Sequence, residues 1–322
     1  MSPSFDPYYN LALEELLLSH LGERQCVLYL WQNQRTVVIG RHQNAWRECL
    51  VDRIETAGGR IARRLSGGGA VYHDLGNLNF TFLVPREAYD LHRQLKVILT
   101  AVRELGIEAE FSGRNDILAA GRKFSGNAFY HGQQASFHHG TILLDVDLSI
   151  LQDYLNVPPQ KLAAKGVASV KSRVINLREL VPGLTIEHLK TAMQRAFLAE
   201  YGGGGEVMAL EPLTTTPEFI FLMDKYASWD WRLGKTPAFD VIHETRFPWG
   251  GIELGLVVVG GKVTDAKIFS DAMDVDVIDA MVKSLIGIAY SRQAASNALS
   301  ELANYTLNPL TREVAEWLST AE

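Results

Sequence analysis

The stretch Arg63-Arg64-Leu65-Ser66-Gly67-Gly68-Gly69-Ala70-Val71-Tyr72-His73-Asp74-Leu75-Gly76-Asn77 carries more information than the rest of the chain. Two arginines enter a triple glycine, residues of β type leave it, and a His-Asp pair and a Gly-Asn turn follow. Glycines expose backbone N–H groups with no side chain in the way. Such a loop lets the chain approach an anion or a flat ring closely, and adjacent arginines neutralise charge. A triple glycine alone reads as a turn beside a solvated Arg pair. The arginines before it and the His-Asp-Leu-Gly-Asn after it favour a ligand-binding loop.

Working outward, Leu78-Asn79-Phe80-Thr81-Phe82-Leu83-Val84 alternates as a half-buried strand does. Upstream, Asp6 and Pro7 open a helix as N-cap and first-turn residue, with Leu11, Leu13, Leu16, Leu17 and Leu18 on its apolar face. Short strands are expected over 26–31 and 36–40, and a helix over 48–58 ending at Gly58-Gly59. Downstream, 88–105 predicts a helix closed by Gly106, 116–145 predicts strands joined by polar turns, and 147–155 a further helix. Residues 161–175 are short, basic and irregular, a candidate mobile loop. An amphipathic helix over 186–201 ends at the four-glycine run 202–205, which lacks a Lys-Ser/Thr phosphate signature and reads as a flexible connection. A second unit begins near 238–246. It contains a hairpin of 253–259 and 262–269 across Gly260-Gly261, then helices over 275–288, 292–304 and 309–320.

The chain has 322 residues, 47% of them hydrophobic and 21% charged, with net charge -6: room for one large domain and a smaller one. No apolar stretch approaches the roughly 20 residues of a membrane helix, and the first residues lack a signal core. Two cysteines, Cys26 and Cys49, make a disulfide framework unexpected and fit a reducing cytoplasm. The acidic balance argues against nucleic acid as the main partner. Yet Arg63, Arg64, Arg114, Arg122, Lys123, Lys165, Lys171 and Arg173 gather in or near the motif segments. A basic pocket in an acidic protein suggests an anionic ligand.

The second informative segment is Gly121-Arg122-Lys123-Phe124-Ser125-Gly126-Asn127-Ala128. Lysine is a compact, movable cation, able to bind an α-phosphate and the oxygen bridging it to an acyl group. A lone lysine in a hairpin would read as a surface residue. Together the two segments resemble the lipoate–protein ligase A family: the glycine stretch through Phe80 matches its adenylate and lipoate loop, and Lys123 to Ala128 its catalytic-lysine motif. The resemblance continues through residues 6–12, Val38-Ile39-Gly40-Arg41, Gly113-Arg114-Asn115-Asp116, His138-His139-Gly140-Thr141-Ile142-Leu143, 165–170 and 246–254, and so covers nearly the whole chain. One departure is visible. Family members usually carry a strand before Asp-Pro, and here only five residues precede Asp6, so that strand is expected to be shortened or absent.

The resemblance implies an α+β fold: a mixed β-sheet catalytic domain flanked by helices, like the biotin and lipoyl ligases, over 1–240, and a small α+β accessory domain over 241–322. It implies that free (R)-lipoate and Mg-ATP give lipoyl-AMP and pyrophosphate, and that the lipoyl group then passes to a lysine of a carrier domain. Carriers would be acyltransferase subunits of 2-oxoacid dehydrogenases and the glycine-cleavage H protein; a monomer without nucleic-acid or membrane partners is expected. It implies nucleotide contacts for Arg64, Gly69, Ala70, Val71, Tyr72 and Lys123, and lipoate contacts for Ser66, Gly68, Gly69, His73, Lys123, Ala128 and His139. Lys123 is the catalytic candidate, and Asp116 is a candidate for the metal or adenine-ribose environment. The residue chemistry agrees. Attack of a carboxylate on an α-phosphate brings like charges together, and fixed donors and cations must offset them. A neutral acyl tail asks for an apolar slot lined by residues such as Val38, Val71 and Ala128. The loop 161–175 would be the lid that shields the mixed anhydride from water. His73, His138 and His139 lack a zinc spacing and are assigned structural or substrate-shaping roles.

Other readings remain open. A biotin–protein ligase usually has arginines interleaved with the loop glycines, which are uninterrupted here. An octanoyltransferase or amidotransferase needs a cysteine nucleophile, and none follows Cys49. A transferase taking only preformed lipoyl-AMP, and a non-catalytic binding protein, are the remaining alternatives; intact Arg64 and Lys123 speak against the second.

Overall fold

The computed structural model describes residues 1–112, 115–155, 173–202, 204–234 and 239–320. The chain divides into two compact units. The first comprises Met1–Ile39, Ala45–Arg64 and Ala70–Leu233; the second comprises Gly40–Asn44, Leu65–Gly69 and Gly234–Glu322.

In the first unit, helix α1 (Pro7–Ser19) starts as expected, with the Asp6 carboxylate accepting from the Tyr8 and Tyr9 N–H groups. Six strands form one sheet in the order β1 (Val27–Trp31), β5 (Asn77–Pro85), β9 (Ala135–Leu143), β8 (Arg122–His131), β7 (Asp116–Ala119) and β6 (Ala109–Ser112). All its pairings are antiparallel. A smaller sheet, β3 (Arg60–Arg63), β2 (Thr36–Ile39) and β4 (Val71–His73), is the mixed one: β2 runs parallel to β3 and antiparallel to β4. Mixed pairing is thus confined to the small sheet.

Alternation divides the large sheet into two faces. Leu78, Phe80 and Phe82 point to one side, where they form a core with Leu95, Ile98 and Val102 of one helix (Leu91–Glu104) and Leu189 and Met193 of another (Ile186–Tyr201). Asn79 and Thr81 point to the other side. There Thr81 aligns with Tyr29 and His139 across three strands, and His139 with Ala128. Burying such a row requires internal partners for its polar atoms.

Some local expectations differ from the structure. The helix expected over 48–58 is two short ones, Ala45–Glu48 and Val51–Thr56. Between them Cys49 forms a β-bridge with Leu155 and Leu50 N–H donates to the Tyr154 carbonyl, pulling the backbone out of helix. The helix expected over 147–155 is only Leu151–Tyr154, because the Asp147 carboxylate accepts from Ser149 N–H and Oγ in a local turn that competes with helix. Ahead of Asp6, Ser2 N–H donates to the Leu30 carbonyl at 2.8 Å, and none of the described residues there forms a strand. Unexpected helices include Pro217–Ala227 and Trp229–Arg232, which begin at Thr216 and Ser228 caps. The expected loop at 161–175 lies outside the described residues except for 173–175.

The second unit is a three-stranded antiparallel sheet, β10 (Val241–Phe247), β11 (Gly250–Val259) and β12 (Lys262–Ser270), with helices Val275–Leu285, Arg292–Thr306 and Pro309–Thr320. Ile252, Leu254, Ile268, Ile278, Met281 and Leu318 fill its core. Two short segments from far upstream belong to it. His42 accepts from Ser270 N–H through its carbonyl at 2.9 Å, and Gly68 N–H donates to the Ala272 carbonyl at 3.3 Å.

Candidate active site

The polar face of the large sheet is organised by a carboxylate. Glu14, on α1 and 1% exposed, accepts from Thr81 Oγ1 at 2.6 Å and from His139 Nδ1 at 2.9 Å. Trp31 Nε1 donates to Thr81 Oγ1 at 3.0 Å. The Arg64 guanidinium, also buried, donates to the Val38 carbonyl at 3.2 Å. Burial pushes its pKa down to about 10 while the Glu14 charge acts in the opposite sense, so Arg64 remains a cation at neutral pH. A buried carboxylate and a buried guanidinium therefore balance each other in this region.

Lys123 is presented by a β-bulge. Along the β7–β8 pairing the register runs Asp116 to Gly126 and Ile117 to Ser125, then shifts to Leu118 and Lys123. Phe124 is the extra residue, and its ring is buried in the core. In a regular strand residues three apart point to opposite faces; one extra residue restores them to the same face. Lys123 thus shares a face with Gly126 and Asp116. Its Nζ lies 2.6 Å from Asp116 Oδ1, with both side chains about one-third exposed (33% and 38%). A Cβ on Gly126 would sit 3.0 Å from Lys123 Cε and Nζ, so the missing side chain makes the seat. The backbone is fixed from the other edge: Lys123 N–H donates to the Arg173 carbonyl at 2.7 Å, and Ile175 N–H to the Lys123 carbonyl at 2.9 Å. The residue is held at its backbone while its ammonium stays accessible.

The glycine loop divides. Arg64 and Ala70 to His73 belong to the first unit, and Ser66, Gly68 and Gly69 to the second. A Cβ at Gly67 would strike the Ala272 carbonyl oxygen, whereas at Gly69 it would meet nothing within 4 Å. Gly68, at φ 89°, has its N–H on Ala272. The Gly68 amide, read as exposed, is therefore occupied by the protein itself. Val71 pairs with Val38, and Tyr72 with Val37. The Tyr72 ring packs edge-on against Tyr154, and burial pushes its hydroxyl up to about 12. That side chain is part of the core, leaving only the Tyr72 backbone for a ligand.

Other candidate residues resolve into different roles. Arg63 donates to the Trp231 and Arg232 carbonyls, and Arg122 pairs with Glu179, so neither joins Lys123. Asp116 serves as the partner of Lys123. Among the described residues no group of three His, Cys, Asp or Glu is placed to hold a metal ion. His138 faces away from Glu14, between Gln94 Oε1 and Asn127 Oδ1, and burial holds its pKa down at about 3. It is structural. Glu14 escaped the sequence reading. The available signal was Glu14 four residues after Asn10 on the helix's buried face, where a carboxylate needs a partner.

Residues 6–198 match the family model described as lipoyl protein ligase A/B catalytic domain, and 236–318 match the bacterial lipoate protein ligase C-terminus. The chain belongs to the lipoyl protein ligase A/B catalytic-domain family and is a lipoate–protein ligase. Among solved structures it is similar to P. falciparum LipL1 in complex with lipoate, at 33% identity and TM-score 0.85, covering 98% of this chain and 97% of that one. It is also similar to the bipartite ligase of Thermoplasma acidophilum, described with its E2 lipoyl domain (27% identity, TM-score 0.63, 73% and 94% covered). A third is lipoate-protein ligase A bound with ATP (26% identity, TM-score 0.60, 71% and 94% covered). Among the described residues no helix is long and apolar enough to cross a membrane.

Proposed function

We propose that this chain activates free (R)-lipoate with ATP to lipoyl-AMP and passes the lipoyl group to a specific lysine of a lipoyl carrier domain, either in an acyltransferase subunit of a 2-oxoacid dehydrogenase complex or in the glycine-cleavage H protein. The observation that carries this is Lys123: a backbone-pinned, accessible ammonium over Gly126, neutralised by Asp116. In the first step a lipoate carboxylate oxygen attacks the α-phosphorus and pyrophosphate leaves. Negative charge from both reactants converges, and the Lys123 and Arg64 cations offset it. In the second step the neutral carrier amine attacks the acyl carbonyl, the amide forms, AMP leaves, and the amine's extra proton goes to solvent or to AMP. In the second step Lys123 stabilises the charge that develops on the bridging oxygen as AMP leaves. Magnesium enters in this reading as part of the substrate Mg-ATP.

Nucleotide contacts are assigned to Arg64, Lys123 and the backbone of Gly69, Ala70, Val71 and Tyr72. Of the loop glycines, Gly69 is one whose missing side chain the fold does not explain. Lipoate contacts are assigned to Ser66, Gly68, Gly69, His73, Lys123, Ala128 and His139. Ala128 and His139 are cross-strand neighbours, consistent with an apolar wall beside a polar group. The enzyme is proposed to act as a cytoplasmic monomer.

The test is mass spectrometry of a carrier domain incubated with enzyme, ATP and lipoate. A lipoyl mass gain that needs all three is expected. Gain only from supplied lipoyl-AMP would replace the ligase reading with that of a transferase.

A further inference from the structure

His73 is 3% exposed, and its Nε2 has no hydrogen-bond partner among the described residues. Its other ring nitrogen shows which tautomer it holds. Asn10 Nδ2 faces the Gln32 carbonyl at 2.8 Å and the Ser4 carbonyl at 3.1 Å, groups that can only accept. That amide is therefore oriented without ambiguity, and its Oδ1 accepts from Ser2 Oγ and Tyr29 Oη. Asn10 Nδ2 also donates to Asn33 Oδ1 at 3.0 Å. Asn33 must then turn its NH2 toward His73, and Asn33 Nδ2 lies 3.2 Å from His73 Nδ1. A donor facing Nδ1 requires a lone pair there, which leaves the proton on Nε2. The charged ring would set an N–H against an N–H, inside a buried site beside the Arg64 cation. Burial first, then the charges of Arg64 and His139, hold the ring's pKa down at about 3.

The neighbours of this ring are Trp31, which lies edge-on at 6.1 Å between centroids, and Arg64 and His139, whose charges act on it. Arg64 and His139 are residues that the proposed function assigns to substrate, and the inference rests on that reading. An unpaired buried donor costs stability, which a ligand acceptor would recover on binding. We propose that Asn10 and Asn33 are positioning residues that lock His73 as its neutral Nε2–H tautomer, and that this N–H donates to an acceptor atom of the acyl substrate. The acceptor is a carboxyl oxygen or a dithiolane sulfur; octanoate offers only the first.

The first measurement is of the free enzyme, using long-range 15N–1H spectra of histidine-labelled protein with His73→Gln for assignment. His73 is expected as the Nε2–H tautomer, unchanged from pH 8 to pH 5. An Nδ1–H tautomer, or an imidazolium within that range, overturns the relay. Asn33→Asp, whose carboxylate accepts from Nδ1–H, should move the proton to Nδ1 or charge the ring. The second measurement is KM against kcat. His73→Phe should raise KM for lipoate about tenfold with ATP KM unchanged, and His73→Gln, which keeps an N–H, should recover part of the loss. An equal rise for octanoate identifies an oxygen acceptor, and a rise for lipoate alone identifies sulfur. Unchanged lipoate KM in His73→Phe, or no shift of the Nε2 resonance on adding lipoate, would leave Nε2–H bonded to buried water only and overturn the donor role. Failure of the ligase reading is separately visible, as wild-type enzyme that releases no pyrophosphate with lipoate and ATP.

Discussion

At Gly67 an added methyl group would strike the Ala272 carbonyl oxygen, at Gly126 it would touch the end of Lys123, and at Gly69 it would touch nothing within 4 Å. The first glycine accommodates the protein's own backbone, and the second accommodates a functional side chain. The third leaves open space. Loop 65–69 and strand 122–131 thus use the same residue type for opposite ends. In the loop, glycine makes packing possible in the second unit; in the strand it makes room for a mobile cation in the first. The strand cradle can be perturbed with the fold intact, whereas the loop at Gly67 cannot.

The sharpest test of this contrast is Lys123→Ala. Removing one such charge donor should lower turnover about 100- to 1000-fold, with little change in lipoate affinity, in a carrier-lipoylation assay. Near-normal turnover would remove Lys123 from the chemistry. Gly126→Ala should follow with a loss of about 10- to 100-fold and an unchanged melting temperature, since the new Cβ displaces the Lys123 side chain rather than the core. A drop in melting temperature with normal activity per folded molecule would mean that Gly126 is a packing residue like Gly67.

The loop is tested by a pair. Gly67→Ala should destabilise the protein by about 1 to 3 kcal/mol, because the Ala272 backbone cannot yield as a side-chain end can. Gly69→Val should leave the circular dichroism melt nearly unchanged while abolishing lipoate-dependent pyrophosphate release. Normal release from a folded Gly69→Val variant would show that the open space is not used by a ligand.

The most gradual effect is on stability against pH. His73 and His138 are held from an ordinary value of 6.5 down to about 3, mainly by burial. In the unfolded chain each takes up a proton as pH falls through 6.5, while the folded chain does not until about 3. The unfolded state therefore binds more protons in that window, and folding stability declines as pH drops through it and is flat above about 7. The slope is at most about 1.4 kcal/mol per pH unit for each ring. Melting temperature measured from pH 7.5 to pH 4.5 should fall, and less steeply in His138→Gln. A flat profile would show that both rings titrate normally.

Much of both units was legible from period and punctuation. Asp6-Pro7 marked the start of α1, Asn79-Phe80-Thr81-Phe82 marked a strand with one polar face, and Gly260-Gly261 marked the hairpin, because caps, alternation and turns are local rules. The helix at 48–58 was misread because Cys49 and Leu50 bond to a segment about a hundred residues away, and no local pattern reports that. Lys123 stood out in its motif. That Asp116 faces it was not legible, because what a carboxylate meets depends on the pairing between strands.

By itself the sequence determined the start of α1, the strand through Phe80 and Phe82, the hairpin at Gly260-Gly261 and the residues bearing charge in the motif segments, since each follows from neighbours in the chain. Only the tertiary structure decided that Phe124 bulges and turns Lys123 onto the face of Gly126, and that Glu14 is buried against Thr81 and His139. It also decided that Asn10 and Asn33 orient His73. The reason is physical. Strand parity is set by the register between strands, and the charge or tautomer of a buried group by the atoms around it, and both depend on contacts between residues far apart in sequence.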